Sequence, residues 1–317
     1  MTTDRILITG AGALGSVFGG YLRRAGAAVT LLGRAPHLDA IRSGGLHISG
    51  IWGEHHADGF ELCERADALS GRFATMLLAT KSYDTSAMIG AVAPYLEDGG
   101  VVISLQNGLG NVETIEAIVS PARTLGARVI FGAEIVALGS VRVTVYADKV
   151  LLGARRPGAS PALDQRAREW AARIDAAGIP AAYSDEIEAA LWAKVFYNAA
   201  LNPLGALLGV PYGLLAQHDD TRALMNAVID EAFAVARAEG IHLPWPSAAD
   251  YRTLFYDRLV PSTFDHRSSM LQDLERGRRT EIEAINGEVW RRGRAHGIVT
   301  PANETLTRLV RYREQRP

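Results

Sequence analysis

RILITGAGALGSVFGGYL, Arg5 to Leu22, joins a largely apolar pentad, a G-x-G-x-x-G and the opening of an apolar helix end to end. The pentad shows no polar alternation, as expected of a strand buried on both faces. Gly10, Ala11, Gly12, Ala13, Leu14 and Gly15 then make the turn into the helix. Such a turn offers backbone N–H groups and the positive end of a helix dipole to a pyrophosphate. Its glycines serve a tight turn, close phosphate approach and helix–strand packing. In a chain with 32 glycines the bare pattern is weak, but its place between strand and helix makes it a dinucleotide fingerprint. The competing reading is a structural βα turn of an unrelated α/β protein.

Outward from that stretch, AVTLL (Ala28–Leu32), ATMLLA (Ala74–Ala79) and VVISL (Val101–Leu105) repeat the buried-strand texture. Leu14–Ala25, Pro36–Ser43, Thr85–Tyr95 and Val112–Val119 read as the helices between them. Alternation of this kind implies a parallel sheet with right-handed crossovers. GLHISGIWGEHHADGF and SVRVTVYADKVLLG look like antiparallel additions. After Pro180 the texture turns helical, over Asp185–Leu207, Thr221–Glu239, a stretch from about Ser247, Ser268–Arg276, Glu281–His296 and Ala302–Tyr312. The expected fold is an α/β N-terminal Rossmann-type doubly wound domain, residues 1–183, followed by an all-α C-terminal domain, residues 184–317.

Composition narrows the function. Hydrophobic residues make up 48% of 317 and the formal net charge is −2, so a large core is available and no basic footprint for nucleic acid or an anionic membrane appears. Cys63 is the only cysteine, which excludes an intrachain disulfide and fits a reducing cytoplasm. No metal-ligand spacing is present, and adjacent His55 and His56 face opposite ways in a strand. The spaced glycines near the N-terminus argue against a secretory leader. The helix containing ALWAKVFYNAALNPL, Ala190–Leu204, is long enough for a bilayer. A mid-span lysine, however, costs about 2.5–3.5 kcal/mol there, and two asparagines and a proline add to it.

The polar residues of that helix raise the chemical question. Lys194, Asn198 and Asn202 recur every four residues and share one stripe of an otherwise apolar helix. A buried lysine keeps its proton only beside a compensating group; Glu281 in TEIEAING is a candidate, and SSMLQD brings hydroxyls at Ser268 and Ser269. In the first half, the strand AVTLL ends in LLGRAP, with Arg34 where an NAD enzyme places an acid for the ribose 2′-OH. A guanidinium suits a 2′-phosphate, which favours NADPH. Lys81 and Asn107 follow two further strands, at ends where doubly wound sheets bind ligands.

With GAGALG, Arg34 in LLGRAP, Lys81, QNGLGNVE, LWAKVFYNAALNPL, SSMLQD and TEIEAINGEVWRRGRAHGI in order, the chain resembles the ketopantoate reductases, NADPH-dependent 2-dehydropantoate 2-reductases, essentially end to end. The resemblance implies that Lys194 is the general acid, with Glu281 holding it and reaching the nicotinamide ribose. It places Gly10 to Gly15, Arg34, Lys81, Asn107 and Ala133 at NADPH/NADP+, and Asn107, Asn198, Asn202 and Ser269 at a small 2-oxo acid substrate. Two positions depart from the family pattern. His266 stands in HRSS where N-x-S-S is usual, and Tyr212 in VPYG where N-G is usual. Both belong to the substrate end, where they replace amides with other hydrogen-bonding groups or else close the pocket by bulk. They bear on which 2-oxo acid is used. The rival readings are a paralogous reductase of another 2-oxo acid, a β-hydroxyacid dehydrogenase, and a catalytically silent NADPH sensor. SSMLQD and TEIEAING speak against the second, and a Lys194–Glu281 pair against the third. An apolar helical domain is compatible with a monomer or a homodimer.

Overall fold

A computed structural model describes residues 4–156 and 160–315. Its contacts divide the chain into two compact units: Met1–Gln106 with Asn111–Ile187, and Asn107–Gly110 with Glu188–Pro317.

In chain order the strands of the first unit are β1 (Arg5–Thr9), β2 (Ala28–Leu32), β3 (Leu46–Gly50), β4 (His55–Ala57), β5 (Glu61–Cys63) and β6 (Phe73–Leu78). They continue with β7 (Leu96–Ser104), β8 (Thr124–Arg128), β9 (Phe131–Ala137), β10 (Ser140–Tyr146), β11 (Val150–Gly153) and β12 (Ala181–Tyr183). Eight form one sheet in the order β12-β11-β8-β7-β6-β1-β2-β5. Its pairs are parallel except β8 with β11. Strand order reverses between β1 and β6, so the turns after these two strands lie at the switch point where doubly wound sheets take ligands. The helices are α1 (Ala13–Arg24), α2 (Ala35–Gly44), α3 (Thr85–Val92), α4 (Asn111–Val119) and α5 (Pro161–Ala176).

The sheet is buried on both faces, which is why its strands read as unbroken apolar runs. Ile6 and Ile8 join the cluster that holds Val17, Phe18 and Leu22 of α1. Leu7, between them, joins Ile89 of α3 and Ile115 of α4. A second sheet, β4-β3-β10-β9, lies against the other side of α1, and the Gly19-Gly20 pair makes room for both layers. A Cβ on Gly19 would come 2.7 Å from Leu31 Cδ2 of β2, and one on Gly20 would strike Ile48 Cδ1 of β3.

Several local expectations change. The added strands are antiparallel in β3–β4, β9–β10 and β8–β11, but β10 runs parallel to β3. These two strands lie about ninety residues apart, so no hairpin dictates their direction. Strands β5 and β12, three residues each, are too short to carry a periodic signal. Helix α5 had no assignment, although its buried residues Leu163, Ala167, Trp170, Ala171 and Ile174 follow helical spacing. Ser160 caps it by accepting from Leu163 N–H, and Pro161 opens it.

The second unit is helical: α6 (Ile187–Leu208), α7 (Tyr212–Leu215), α8 (Asp219–Ala238), α9 (Ala248–Leu254), α10 (Val260–Ser262), α11 (Ser269–Glu275), α12 (Asn286–Ala295) and α13 (Pro301–Glu314). Trp192, Phe196, Met225, Ile229, Phe255, Val289 and Leu306 are among its core. The expected helix Glu281–His296 is broken. Ile282–Ala284 is a 3₁₀ turn capped by Glu281, and the α-helix starts only at Asn286. No helix among the described residues is long and apolar enough to cross a membrane.

The units do not part at residue 183. Ser184 N–H donates to Leu152 O, which continues the β11–β12 ladder, and a Cβ on Gly153 would meet Ile187. Residues 184–187 therefore stay with the first unit. Conversely, Leu109 N–H donates to Ala284 O (2.8 Å), and Gly108 (φ +84°) lies so close to Ala284 that a Cβ has no space. The strap 107–110, in the middle of the sheet-forming sequence, thus belongs to the helical unit.

Candidate active site

The turn after β1 is built as the fingerprint requires. Gly10 adopts φ +83°, and a Cβ there would stand 2.7 Å from Thr80 N in the turn after β6. Its N–H and that of Ala11 both donate to Leu32 O at the end of β2 (2.9 and 3.0 Å). Gly15 lies against Gly10 O and Ile8, which lets α1 approach β1. Gly12 differs. The nearest atom to a Cβ there is Gly10 O at 4.0 Å. Protein packing does not demand glycine at 12, but a phosphate pressed against the backbone does. The first-turn N–H groups of Ala13, Leu14 and Gly15 have no intrahelical acceptor and are available as donors to an anion. The residues present fit a dinucleotide pyrophosphate.

Arg34 caps α2 just beyond β2 in extended backbone; its exposed side chain makes no hydrogen bond or ion pair among the described residues. One turn on, His37 is buried. Gly139 N–H donates to its Nδ1 (3.1 Å), which leaves Nε2 to donate to Ser16 Oγ at 3.0 Å. Burial first, and the Arg34 charge second, hold its pKa below the ordinary histidine value. The ring is therefore neutral at pH 7 and ties α1, α2 and the β9–β10 turn together beneath Arg34. Sequence reasoning passed over this histidine. Its position three residues after Arg34 was the available signal.

Lys81 caps the 3₁₀ turn Ser82–Asp84 and is half-buried. Thr80, beside it, is bound by Gln106, whose Nε2 donates to Thr80 O (3.0 Å) and Thr85 Oγ1 (2.7 Å). Thr85 Oγ1 lies 2.8 Å from both Ser82 O and Asn111 Oδ1. This buried network sets where the chain leaves β6 toward Lys81 and β7 toward Asn107. Ala133 lies in β9, half-buried against the α1 layer and paired with Val143.

In the helical unit, Asn107 on the strap links the two groups singled out from sequence. Lys194 Nζ donates to Asn107 Oδ1, and Asn107 Nδ2 donates to Glu281 Oε2 at 3.5 Å. Glu281 is buried; Lys194 and Asn107 are half-buried. One amide thus faces an ammonium with its carbonyl and a carboxylate with its NH2. Asn198 and Asn202, one and two turns along α6, are 8% and 5% exposed. Asn198 has no hydrogen-bond partner in the described chain, yet its amide is not sealed from solvent. Asn202 Oδ1 accepts from the Tyr212 hydroxyl. His266 packs against the Tyr212 ring at a tilt of 57° with centroids 5.1 Å apart, and its carbonyl accepts from Tyr212 N–H (3.1 Å). Ser268, fully buried, caps α11 through Leu271 N–H, whereas Ser269 is exposed. No cluster of three or more metal-ligating side chains occurs among the described residues.

Pro203 lies inside α6, next to Asn202, and removes the N–H that would bond Ala199 O. Asn286, fully buried at the start of α12, replaces it: Nδ2 donates to Ala199 O at 3.0 Å and to Asn303 Oδ1 at 3.0 Å. Sequence reading gave Asn286 no role beyond its place in TEIEAING. Asn286→Ala leaves the Ala199 carbonyl buried and unpaired, so it should cost about 1–3 kcal/mol. A urea titration checks this through a lower midpoint at unchanged slope; an unmoved midpoint would show that the carbonyl finds another donor.

Known proteins share this architecture. Residues 6–157 match the family described as Ketopantoate reductase PanE/ApbA, and residues 186–314 match its C-terminal family. The 2-dehydropantoate 2-reductase of Aquifex aeolicus is 36% identical, with 98% of this chain and 97% of that protein aligned. A crystal structure of a PanE/ApbA family ketopantoate reductase from Ralstonia eutropha JMP134 superposes with a TM-score of 0.86 at 35% identity, covering 98% of each chain. D-mandelate dehydrogenase, solved with NADH and anilino(oxo)acetate, superposes with the same TM-score at 26% identity and 98% coverage of each chain. The glycine turn after β1 and the end-to-end match together place this chain in the ketopantoate reductase family, among the nicotinamide-dependent oxidoreductases that act on CH–OH groups.

Proposed function

We propose that the chain reduces 2-dehydropantoate to (R)-pantoate with NADPH, as a step toward pantothenate and coenzyme A in the cytoplasm. The observation that carries this reading is the chain Lys194–Asn107–Glu281 beside two buried amides on the same stripe of α6. NADPH, when bound, supplies the hydride equivalent to the carbonyl carbon. Lys194 gives the proton to the carbonyl oxygen as negative charge develops there, and Asn107 Oδ1 aims the ammonium. Glu281 fixes the Asn107 amide from the other side. Asn198 and Asn202 supply N–H donors for substrate oxygens, joined by Ser269 at the start of α11. On the cofactor side, Gly10 to Gly15 take the pyrophosphate, Arg34 takes the 2′-phosphate, and Lys81, Asn107 and Ala133 line the remainder.

The test is kcat/KM for 2-dehydropantoate against 2-oxoisovalerate, which lacks the terminal hydroxymethyl group. We expect a preference for 2-dehydropantoate of about tenfold or more. A second reading, reduction of a different 2-oxo acid, is favoured by the aromatic pair Tyr212–His266 at positions where amides were expected. A better rate with 2-oxoisovalerate or an aryl 2-oxo acid would establish it.

Cofactor choice follows from Arg34. A charge-assisted contact contributes about 1.5–3 kcal/mol, so NADPH should exceed NADH by at least about tenfold in kcat/KM. Arg34→Ala should erode that ratio and leave kcat with NADH nearly unchanged. Equal use of both cofactors by the wild type would falsify the assignment.

A further inference from the structure

We propose that Tyr212 is a positioning residue for substrate recognition: it locks the Asn202 amide with its NH2 group outward, as a donor to an oxygen at the end of the substrate remote from the ketone. The inference deepens the reductase reading above and rests on Lys194 marking the ketone.

Distance along α6 assigns the ends. At 1.5 Å rise per residue, Asn198 lies about 6 Å and Asn202 about 12 Å along the axis from Lys194. Side chains lean toward a helix N-terminus, so the lysine tip moves further from Asn202. Asn198 thus sits near the reacting carbon, and Asn202 serves the far end of the substrate.

Tyr212 has little freedom. Its ring is 3% exposed, with Tyr197 edge-on at 5.7 Å and His266 at 5.1 Å. Tyr197 is itself tied to Thr263 Oγ1 (2.6 Å), and the Tyr212 N–H is held by His266 O. Burial raises the pKa of the Tyr212 phenol well above its ordinary value, so the hydroxyl keeps its proton and must donate it. The acceptor in reach is Asn202 Oδ1. Asn202 Nδ2 has no acceptor among the described residues and is not sealed from solvent. An amide held this way presents its NH2 group as the donor toward the substrate. It recognises a hydroxyl oxygen, and the terminal hydroxymethyl of 2-dehydropantoate presents one. Tyr212 therefore supports discrimination without touching the substrate.

The experiment is a double-mutant cycle with Tyr212→Phe and Asn202→Ala, each assayed on 2-dehydropantoate and 2-oxoisovalerate, with NADPH affinity read by fluorescence. Tyr212→Phe removes only the hydroxyl and keeps the packed ring. We expect about a tenfold loss of kcat/KM for 2-dehydropantoate in each single variant, a clearly smaller loss for 2-oxoisovalerate, and unchanged NADPH affinity. In the Asn202→Ala background, Tyr212→Phe should add nothing. Additive losses would mean that Tyr212 contacts the substrate itself, and equal losses on both substrates would mean a structural role; either overturns the proposal. A wild type that reduces 2-oxoisovalerate as well as 2-dehydropantoate overturns it together with the substrate assignment. A wild-type preference that survives Tyr212→Phe overturns the positioning role alone.

Discussion

Lys194→Ala should lower kcat by roughly 10²–10⁴, with NADPH still bound at near wild-type affinity. A positioned general acid contributes about that much, and its contribution falls mainly in the transition state, so KM changes less than kcat. The structure sharpens the expectation, because the Lys194 ammonium is aimed by Asn107 Oδ1. Asn107→Ala should then reproduce part of the loss with the lysine still in place. Single-turnover measurement of NADPH absorbance isolates the chemical step. Retention of more than about a tenth of wild-type kcat by Lys194→Ala, with chemistry rate-limiting, would reduce Lys194 to a structural residue.

The second large effect separates two glycines of one turn. Gly12→Val should weaken NADPH binding by about a hundredfold and leave the unfolding midpoint of the free protein nearly unchanged. A Cβ at Gly12 would have Gly10 O, 4.0 Å away, as its nearest atom beyond the chain neighbours, but it would take the space that a pyrophosphate pressed against the backbone needs. Overpacking costs about 1–3 kcal/mol, and displaced phosphate contacts add to it. Gly15→Val should behave in the opposite order, destabilising the free protein because its Cβ strikes Gly10 O and crowds Ile8. Thermal melts without cofactor, paired with NADPH titrations, read both quantities. Equal melting losses in the two variants would remove the distinction on which the pyrophosphate reading of Gly12 depends.

How much of this was legible in the chain depends on how local each feature is. The β1–turn–α1 unit was readable because strand, glycines and helix are neighbours in sequence and their periodicities differ. Arg34 was readable because it follows a strand end directly, and the Lys194–Asn198–Asn202 stripe because helical spacing alone puts polar groups on one face. Helix α5 carried the same kind of signal, with Ser160 as cap and apolar residues at helical spacing, and was legible though unassigned. The break before Asn286 had a signal too, the Asn286-Gly287 dipeptide inside an otherwise helical run, and the strap that donates to Ala284 O meets the 3₁₀ turn there.

The site's orientation lies beyond local sequence altogether. Asn107 meets Glu281 across 174 positions and Lys194 across 87. Nothing near any of the three specifies that an amide will stand between an ammonium and a carboxylate. Asn286 answers a carbonyl freed by Pro203, 87 positions from its own. Tyr212, whose hydroxyl the sequence left free for substrate, has it bound by Asn202. Sequence by itself determined most of the elements and singled out the candidate phosphate turn, the candidate cofactor-end cation and the candidate acid, because backbone propensity and side-chain periodicity act over a few residues. Tertiary structure alone decided which way each buried amide points, because a donor or acceptor removed from water must be paired with whatever partner folding brings within reach.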